Sequence, residues 1–112
     1  MQLSTRQRDG VTIVDLKGKI TIGAGDVELR NAVLQAVNDG AKKILINLSG
    51  VTTIDSSGVG ELVSSYTTAK NRAAQLKLVN LPDKVQDVLT VTQLITVFDV
   101  YDTEDEAIRS FS

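Results

Sequence analysis

Hydrophobic and polar positions alternate weakly at the start of the chain and more strongly afterwards, which predicts two strands. Residues 2–8 are mostly polar with a weak two-residue period, a pattern that suits an edge strand. The segment Val11–Leu16 is far more apolar and predicts a second strand. Asp9 and Gly10 stand between them and form the residue pair most typical of a tight hairpin turn. We therefore expect the chain to open with a β-hairpin.

The next apolar pattern has the spacing of a helix. Residues 18–25 are rich in glycine and predict a loop, into which Ile20 and Ile22 can extend the preceding strand. The segment Asp26–Asn38 then carries apolar residues on one helical face, and Gly40 stands where a helix commonly ends. The residues of that face are Leu29, Ala32, Val33, Ala36 and Val37.

A continuous apolar run in the middle of the chain predicts a central strand. Ile44, Leu45 and Ile46 lie inside the predicted strand Lys43–Leu48. Such a run is typical of a strand buried on both faces, and the Ser49-Gly50 pair after it indicates a turn. Two further strands are predicted at residues 76–79 and 97–100.

Three more helical patterns follow the central strand. The first is Ser57–Ala73, and the second begins at Pro82, where the missing N–H costs nothing. The third follows a capping box at Thr103–Glu106. Their apolar residues are Val59, Leu62, Val63, Tyr66, Ala69 and Ala73, then Val85, Val88 and Leu89, then Ile108. The acidic residues near the last helix are predicted to be a solvated helix start: Asp99, Asp102, Glu104, Asp105 and Glu106.

The predicted order of elements is β-β-α-β-α-β-α-β-α. Helices that alternate with buried strands indicate an α/β fold with a mixed sheet and right-handed crossovers. A chain of 112 residues has the length of one domain. We therefore expect a single domain over residues 1–112.

The composition excludes several kinds of chemistry. The chain contains no cysteine and no histidine, so it has no disulfide framework, no thiolate metal ligand and no Ser-His-Asp triad. A net charge of -2 without a basic cluster gives no support for nucleic-acid binding. There is no signal-peptide pattern and no apolar run near the roughly 18 residues of a membrane span. We expect a cytoplasmic protein that is not an enzyme, holds no metal or cofactor and does not insert into a membrane.

The most informative segment is residues 54–62, with the sequence IDSSGVGEL. It lies between a predicted buried strand and a predicted helix, where α/β folds commonly place their sites. Asp55, Ser56 and Ser57 are residue types that cap helix N-termini. The segment therefore predicts two exposed serine hydroxyls at the positive end of a helix, although capping alone would also account for these residues.

The helix after this segment has an unusual second face. Opposite its apolar stripe the residues are small or β-branched, where strong helix formers would better serve an exposed surface. Small side chains permit the close approach of another surface, which predicts a docking face. Its residues are Gly60, Ser64, Ser65, Thr67, Thr68 and Asn71.

The run IDSSGVGEL, coming after ILINLSGVTT, resembles the signature of STAS domains, in particular bacterial anti-sigma factor antagonists. The hairpin opening, the turn at Gly18 and the order of elements are similar to that family across nearly the whole chain. One difference stands after Gly18, where family members often carry acidic residues and this chain has Lys19, Ile20 and Thr21.

The resemblance implies a partner-switching protein. It implies that the unphosphorylated chain binds an anti-sigma factor that is also a serine kinase, and thereby releases a sigma factor. It also implies that the kinase phosphorylates Ser56 and that a serine phosphatase reverses the change. The implied partner-binding residues are Asp55, Ser56, Ser57, Gly58, Gly60, Glu61 and Ser64.

The sequence gives less support to other functions. Gly23-Ala24-Gly25 lacks the rest of a phosphate-binding motif. A receiver domain phosphorylated on Asp55 would begin with a strand and a helix, and an enzyme using Ser56 would need a base that the chain does not supply nearby. The main alternative is a STAS scaffold or regulatory subunit of a larger assembly, such as a stress-signalling complex or a lipid transporter.

Overall fold

A computed structural model describes residues 1–111 of the chain. Within that range the elements are β1 (Gln2–Arg8), β2 (Val11–Ile20), α1 (Asp26–Asn38), β3 (Lys43–Ile54), α2 (Ser56–Asn71), β4 (Gln75–Val79), α3 (Asp83–Val91), a 3-10 turn (Leu94–Thr96), β5 (Val100–Tyr101) and α4 (Glu104–Ser110).

The strands form one mixed sheet in the order β1-β2-β3-β4-β5. β1 pairs with β2 in antiparallel fashion, and the later neighbours are parallel. The hairpin between β1 and β2 turns at Asp9 and Gly10, whose φ angles of 51° and 79° are both left-handed. Two left-handed residues are what the tight turn between twisted strands requires. The predicted hairpin and mixed sheet are therefore confirmed.

Helices cover both faces of the sheet. α1, α2 and α3 pack on one face, where Leu29, Leu62 and Leu89 are completely buried. α4 packs on the other face through Ala107, together with Phe111 just beyond its end. Because β3 lies between these two layers, its apolar residues are buried whichever way they point, as predicted from their continuous run. The sheet residues on the face covered by α1, α2 and α3 include Val14, Ile44, Ile46 and Leu78. Those on the face covered by α4 include Ile13, Leu45 and Val79.

β2 and β3 are longer than predicted. β2 continues through Gly18 to Ile20, with register shifts on either side of that glycine, so the loop predicted from residue 18 begins later. β3 continues through Ser49-Gly50, which is not a turn. A Cβ at Gly50 would lie 2.9 Å from the Leu16 carbonyl oxygen, so this glycine permits close approach of the neighbouring strand. The extension brings the ends of both strands side by side, with Ile20 paired to Ile54.

The last strand is shorter and later than predicted. It covers Val100–Tyr101 and not residues 97–100. The apolar residue Phe98 is buried without strand pairing, and its ring meets Tyr66 edge-on at 5.6 Å between centroids. An apolar side chain that packs from a loop produces the same sequence signal as a strand residue, which explains the error.

The acidic start of α4 is only partly solvated. Thr103 caps the helix, and its hydroxyl accepts a hydrogen bond from the Glu106 N–H at 3.2 Å, as the capping box predicts. The Arg8 guanidinium lies 2.7 Å from a Glu104 carboxylate oxygen and 2.5 Å from an Asp105 oxygen. The prediction of a solvated cluster is wrong for Glu104, whose side chain is only 22% exposed, whereas Asp105 stays exposed while it pairs with Arg8. Both acids join α4 to the edge strand β1.

Candidate functional site

Asp55 connects two separate segments of the chain. Its Oδ1 accepts a hydrogen bond from the Gly58 N–H at 3.0 Å, which caps the first turn of α2. Its Oδ2 accepts a hydrogen bond from the Ile22 N–H at 3.1 Å, in the loop between β2 and α1. These two N–H groups stabilise the carboxylate and hold the pKa of Asp55 below its ordinary value. A single side chain therefore fixes the relative positions of the helix start and the loop.

Both serines of the motif lie in the first turn of α2. The helix begins at Ser56, one residue earlier than predicted, because Asp55 occupies the capping position. Ser57 lies inside the first turn, as the predicted helix Ser57–Ala73 requires, and Ser56 lies there as well. The two serines still differ in exposure, since Ser56 is exposed and Ser57 is half-buried. Near a helix N-terminus, free N–H groups and the helix dipole favour an anion.

Gly58 is buried against the end of β2. A Cβ at this position would overlap the Ile20 carbonyl oxygen and would lie 2.7 Å from Cγ1 of Ile54. Gly58, which the resemblance implies as a partner-binding residue, is therefore required for the packing of α2 on the two strand ends. Gly60 differs, since a Cβ there would meet nothing within 4 Å.

The exposed face of α2 is narrower than predicted. Gly60, Ser64, Thr67 and Asn71 are exposed, but Ser65 is only 3% exposed and Thr68 is half-buried. Ser65 and Thr68 line a groove of about 260 Å³ between α2 and α1. The other residues that line it are Arg30, Val33, Leu34 and Ser64. The predicted docking face therefore contains two residues that belong to the contact between helices.

Glu61 is buried and paired with an arginine of α1. Its Oε2 accepts a hydrogen bond from the Arg30 Nε at 3.1 Å, and its other oxygen pairs with the Arg30 Nη2. Only 8% of Glu61 is exposed, so it joins α2 to α1 and does not present a free carboxylate. Spacing along the sequence gave no signal for this pair, because its members are 31 positions apart.

The loop between β2 and α1 presents a residue that the motif analysis missed. The Thr21 N–H donates to the Ala24 carbonyl at 2.8 Å, and the Ala24 N–H donates to the Thr21 carbonyl at 2.9 Å. Ile22 lies inside this closed turn with 76% of its surface exposed. The sequence contains one signal for it, an isoleucine in a glycine-rich loop, but the same residue also suits an extension of the strand.

The remaining chemistry of the described residues is limited. Among residues 1–111, no group of three or more histidine, cysteine or acidic side chains is placed to hold a metal ion. In the same part of the chain, no helix is long and apolar enough to cross a membrane.

Comparison with known sequences gives the family. The model of the STAS domain matches residues 2–107. Two Thermotoga proteins are each 35% identical over 73 residues, a match that spans 65% of this chain and 65% of each relative. The anti-sigma-B factor antagonist of Bacillus subtilis is 26% identical over 100 residues, which is 89% of this chain and 90% of that protein.

Solved structures have the same fold. Protein TM1081 of Thermotoga maritima matches with a TM-score of 0.87 at 28% identity, covering 96% of this chain and 92% of that one. The Bacillus cell fate determinant SpoIIAA in its phosphorylated form matches with a TM-score of 0.73 at 23% identity, covering 96% and 97%. Together the mixed sheet, the strand-to-helix motif and the family model define an α/β domain of the STAS type. The chain belongs to the STAS domain family, and the predicted fold and resemblance are confirmed.

Proposed function

We propose that this protein is an anti-sigma factor antagonist that binds an anti-sigma factor through the start of α2 and loses that partner when Ser56 is phosphorylated. The observation that carries the proposal is an exposed serine in the first helical turn, beside the carboxylate that caps the helix. Membership of the STAS family and the name of the Bacillus subtilis relative support the antagonist role. The anti-sigma factor is the kinase in this scheme, and a serine phosphatase resets the cycle.

The docking surface in this proposal consists of the exposed residues Ser56, Gly60 and Ser64, with Asp55 and Ser57 at its edge. Ser56, Gly60 and Ser64 are spaced four residues apart, so they follow one another along one side of α2. Their small side chains leave the helix backbone accessible to a partner. The resemblance implies that Gly58 and Glu61 also contact the partner, but both are buried. Gly58 packs against β2 and Glu61 pairs with Arg30 of α1, so these two residues position the helix that carries the surface.

Ser56 is a better phosphate acceptor than Ser57 because of its surroundings. A kinase must place the acceptor hydroxyl in its own active site, which requires an exposed side chain. Ser56 is exposed, whereas Ser57 is half-buried. The phosphorylated form of SpoIIAA supports a phosphate on this fold, although the match to that structure concerns the fold alone.

Phosphorylation in this scheme blocks the partner without unfolding the domain. A phosphate adds a charge of about -1.5 to -2. The start of α2 stabilises an anion by about 0.3–1 kcal/mol, and the Asp55 carboxylate next to it repels the same charge. Buried against a partner, an unpaired charge costs several kcal/mol. A loss of about 4 kcal/mol corresponds to roughly a thousandfold weaker affinity.

Phosphate mapping tests this assignment. The protein is incubated with ATP and each anti-sigma factor kinase of the source genome, and the product is analysed by mass spectrometry. We expect phosphate on Ser56 in the unchanged protein and in Ser57→Ala, and no phosphate in Ser56→Ala. The Ser57→Ala variant is the matched control, since it removes the neighbouring hydroxyl from the same turn.

Two other results would contradict the proposal. Phosphate that maps to Ser57, or that persists in Ser56→Ala, would show that the acceptor is wrong. A stable complex with a partner that transfers no phosphate would favour the alternative, a STAS scaffold or regulatory subunit of a larger assembly.

A further inference from the structure

We propose that Ile22 is an apolar anchor of the docking surface, held in place by Asp55, and that the anti-sigma factor has an apolar pocket to receive it. The inference rests on the proposed function and adds the chemistry of the partner's surface. It concerns a residue outside the motif, on a different segment of the chain from α2.

Exposure alone does not make Ile22 an anchor. Single exposed apolar residues are common on protein surfaces. Val91, at the end of α3, is 82% exposed and has no comparable setting. What distinguishes Ile22 is the combination of 76% exposure with a fixed backbone and a position beside the proposed phosphorylation site.

The backbone around Ile22 is fixed from both sides. The two hydrogen bonds between Thr21 and Ala24 close the turn at 2.8 and 2.9 Å. The Ile22 N–H donates to the Asp55 carboxylate at 3.1 Å, which ties the tip of the turn to the start of α2. An apolar side chain on a fixed turn loses less conformational entropy on binding than one on a mobile loop. The structure therefore presents Ile22 at low entropic cost.

The position of Ile22 continues the docking surface. Asp55 contacts the Ile22 N–H with one oxygen and the Gly58 N–H with the other, and Ser56 follows directly in the chain. A partner that covers Ser56 therefore also meets the turn. The nearest part of α1 adds a second apolar side chain, since Val27 in its first turn is 48% exposed. A partner surface complementary to Ile22 and Val27 needs an apolar pocket.

The size of the expected effect follows from the area that Ile22 would bury. Complete burial of an isoleucine side chain strengthens an association by about ten- to a hundredfold. An aspartate at the same place would have to enter the apolar pocket with its charge, which weakens binding further. Because Ile22 is exposed in the free protein, neither change should lower the melting temperature appreciably.

The test is a titration of the unphosphorylated protein with its anti-sigma factor by calorimetry. Ile22→Ala should weaken the affinity by about ten- to a hundredfold and Ile22→Asp by at least as much. Val91→Asp is the matched control, because it places the same charge on another highly exposed apolar residue. We expect that control to bind within about threefold of the unchanged protein, since α3 contributes no residue to the proposed docking surface.

The outcomes separate this inference from the proposed function. If the unchanged protein binds and Ser56 phosphorylation releases the partner, but Ile22→Asp binds equally well, the anchor is refuted and the proposed function stands. If Val91→Asp weakens binding as much as Ile22→Asp, the effect is one of general charge and the anchor is again refuted. If the unchanged protein binds no anti-sigma factor, both are overturned.

Discussion

Gly58 and Gly60 are separated by one residue of α2, yet a methyl group added at each would meet different surroundings. At Gly58 the methyl would overlap the Ile20 carbonyl oxygen, which is a backbone atom and cannot move away by a side-chain rotation. At Gly60 the methyl would extend into open space. Glycine also lowers helix stability relative to alanine by up to about 1 kcal/mol. The two glycines therefore have different structural roles.

Alanine at these two positions should shift stability in opposite directions. Gly58→Ala should lower the free energy of unfolding by about 1–3 kcal/mol, because the added methyl overpacks the contact between α2 and β2. Gly60→Ala should raise it by up to about 1 kcal/mol, since the site is exposed and helical. Urea denaturation of both variants measures the difference. Equal effects would contradict the packing described for Gly58.

The residues of the motif could be located from the sequence, but their contacts could not. A capping-type run after a buried strand placed Asp55 and the two serines at a strand-to-helix junction, as observed. The sequence could not show that Gly58 lies on Ile20, or that Glu61 pairs with Arg30, because these contacts join segments brought together only by the fold.

At the scale of elements, α4 is joined to β1 by a network of opposite charges. Arg6 bonds to Asp15 at 2.7 Å and also pairs with Glu104, while Arg8 binds Glu104 and Asp105. Hydrogen bonding to Arg6 is the main reason that the pKa of Glu104 lies below its ordinary value. Isolated surface ion pairs contribute little to the free energy of unfolding, whereas pairs that are connected into a network contribute more.

The network predicts how stability changes in acid. A carboxylate with a lowered pKa in the folded state stabilises the fold above its unfolded pKa, about 4.3 for glutamate, and loses that contribution as the pH falls through the folded pKa. We expect the unfolding free energy to fall below about pH 4 more steeply in the unchanged protein than in Glu104→Gln. Denaturation at several pH values measures both slopes. Glu106→Gln, at an exposed position of the same turn, is the control.

The elements with a regular period were easier to predict than the connections between them. The bounds of α1 agree with its helical spacing, Asp26–Asn38. The sequence predicts that β3 ends before Ser49-Gly50, whereas the strand continues to Ile54, because a glycine that permits close strand contact has the same local sequence as a turn. A tertiary contact, and not a local preference, decides that difference, so one sequence cannot reveal it.

At the scale of the whole molecule, the docking surface and the β1–α4 network lie at opposite ends of β2. Arg6 pairs with Ile13 near the start of β2, whereas Ile20 ends the strand beside Ile54 and the start of α2. The strand rises about 3.3 Å per residue, and the domain measures 30 × 26 × 23 Å. A charge added at Ser56 therefore acts at one end of the domain and leaves the network at the other end unchanged.

This arrangement predicts that phosphorylation leaves the fold intact. The melting temperatures of the phosphorylated and unphosphorylated proteins should differ by less than about 5 °C, which corresponds to roughly 1 kcal/mol for a domain of this size. Amide exchange in β3 should be the same in both forms. A large drop in melting temperature, or lost protection in Lys43–Leu48, would show that the phosphate acts by disrupting the fold and not by blocking a partner.

The ion pairs between β1 and α4 also bear on the order in which the ribosome makes the protein. They connect residues 96 to 98 positions apart. The opening hairpin can form within microseconds of leaving the ribosome. The acidic residues of α4 that pair with its arginines are synthesised only seconds later, since synthesis adds about 5–20 residues per second. During that interval Ile13, Leu45 and Val79 lack the cover that Ala107 and Phe111 later provide. The nascent chain thus exposes one apolar side of its sheet until α4 has been synthesised, and this is the stage at which a chaperone would bind it.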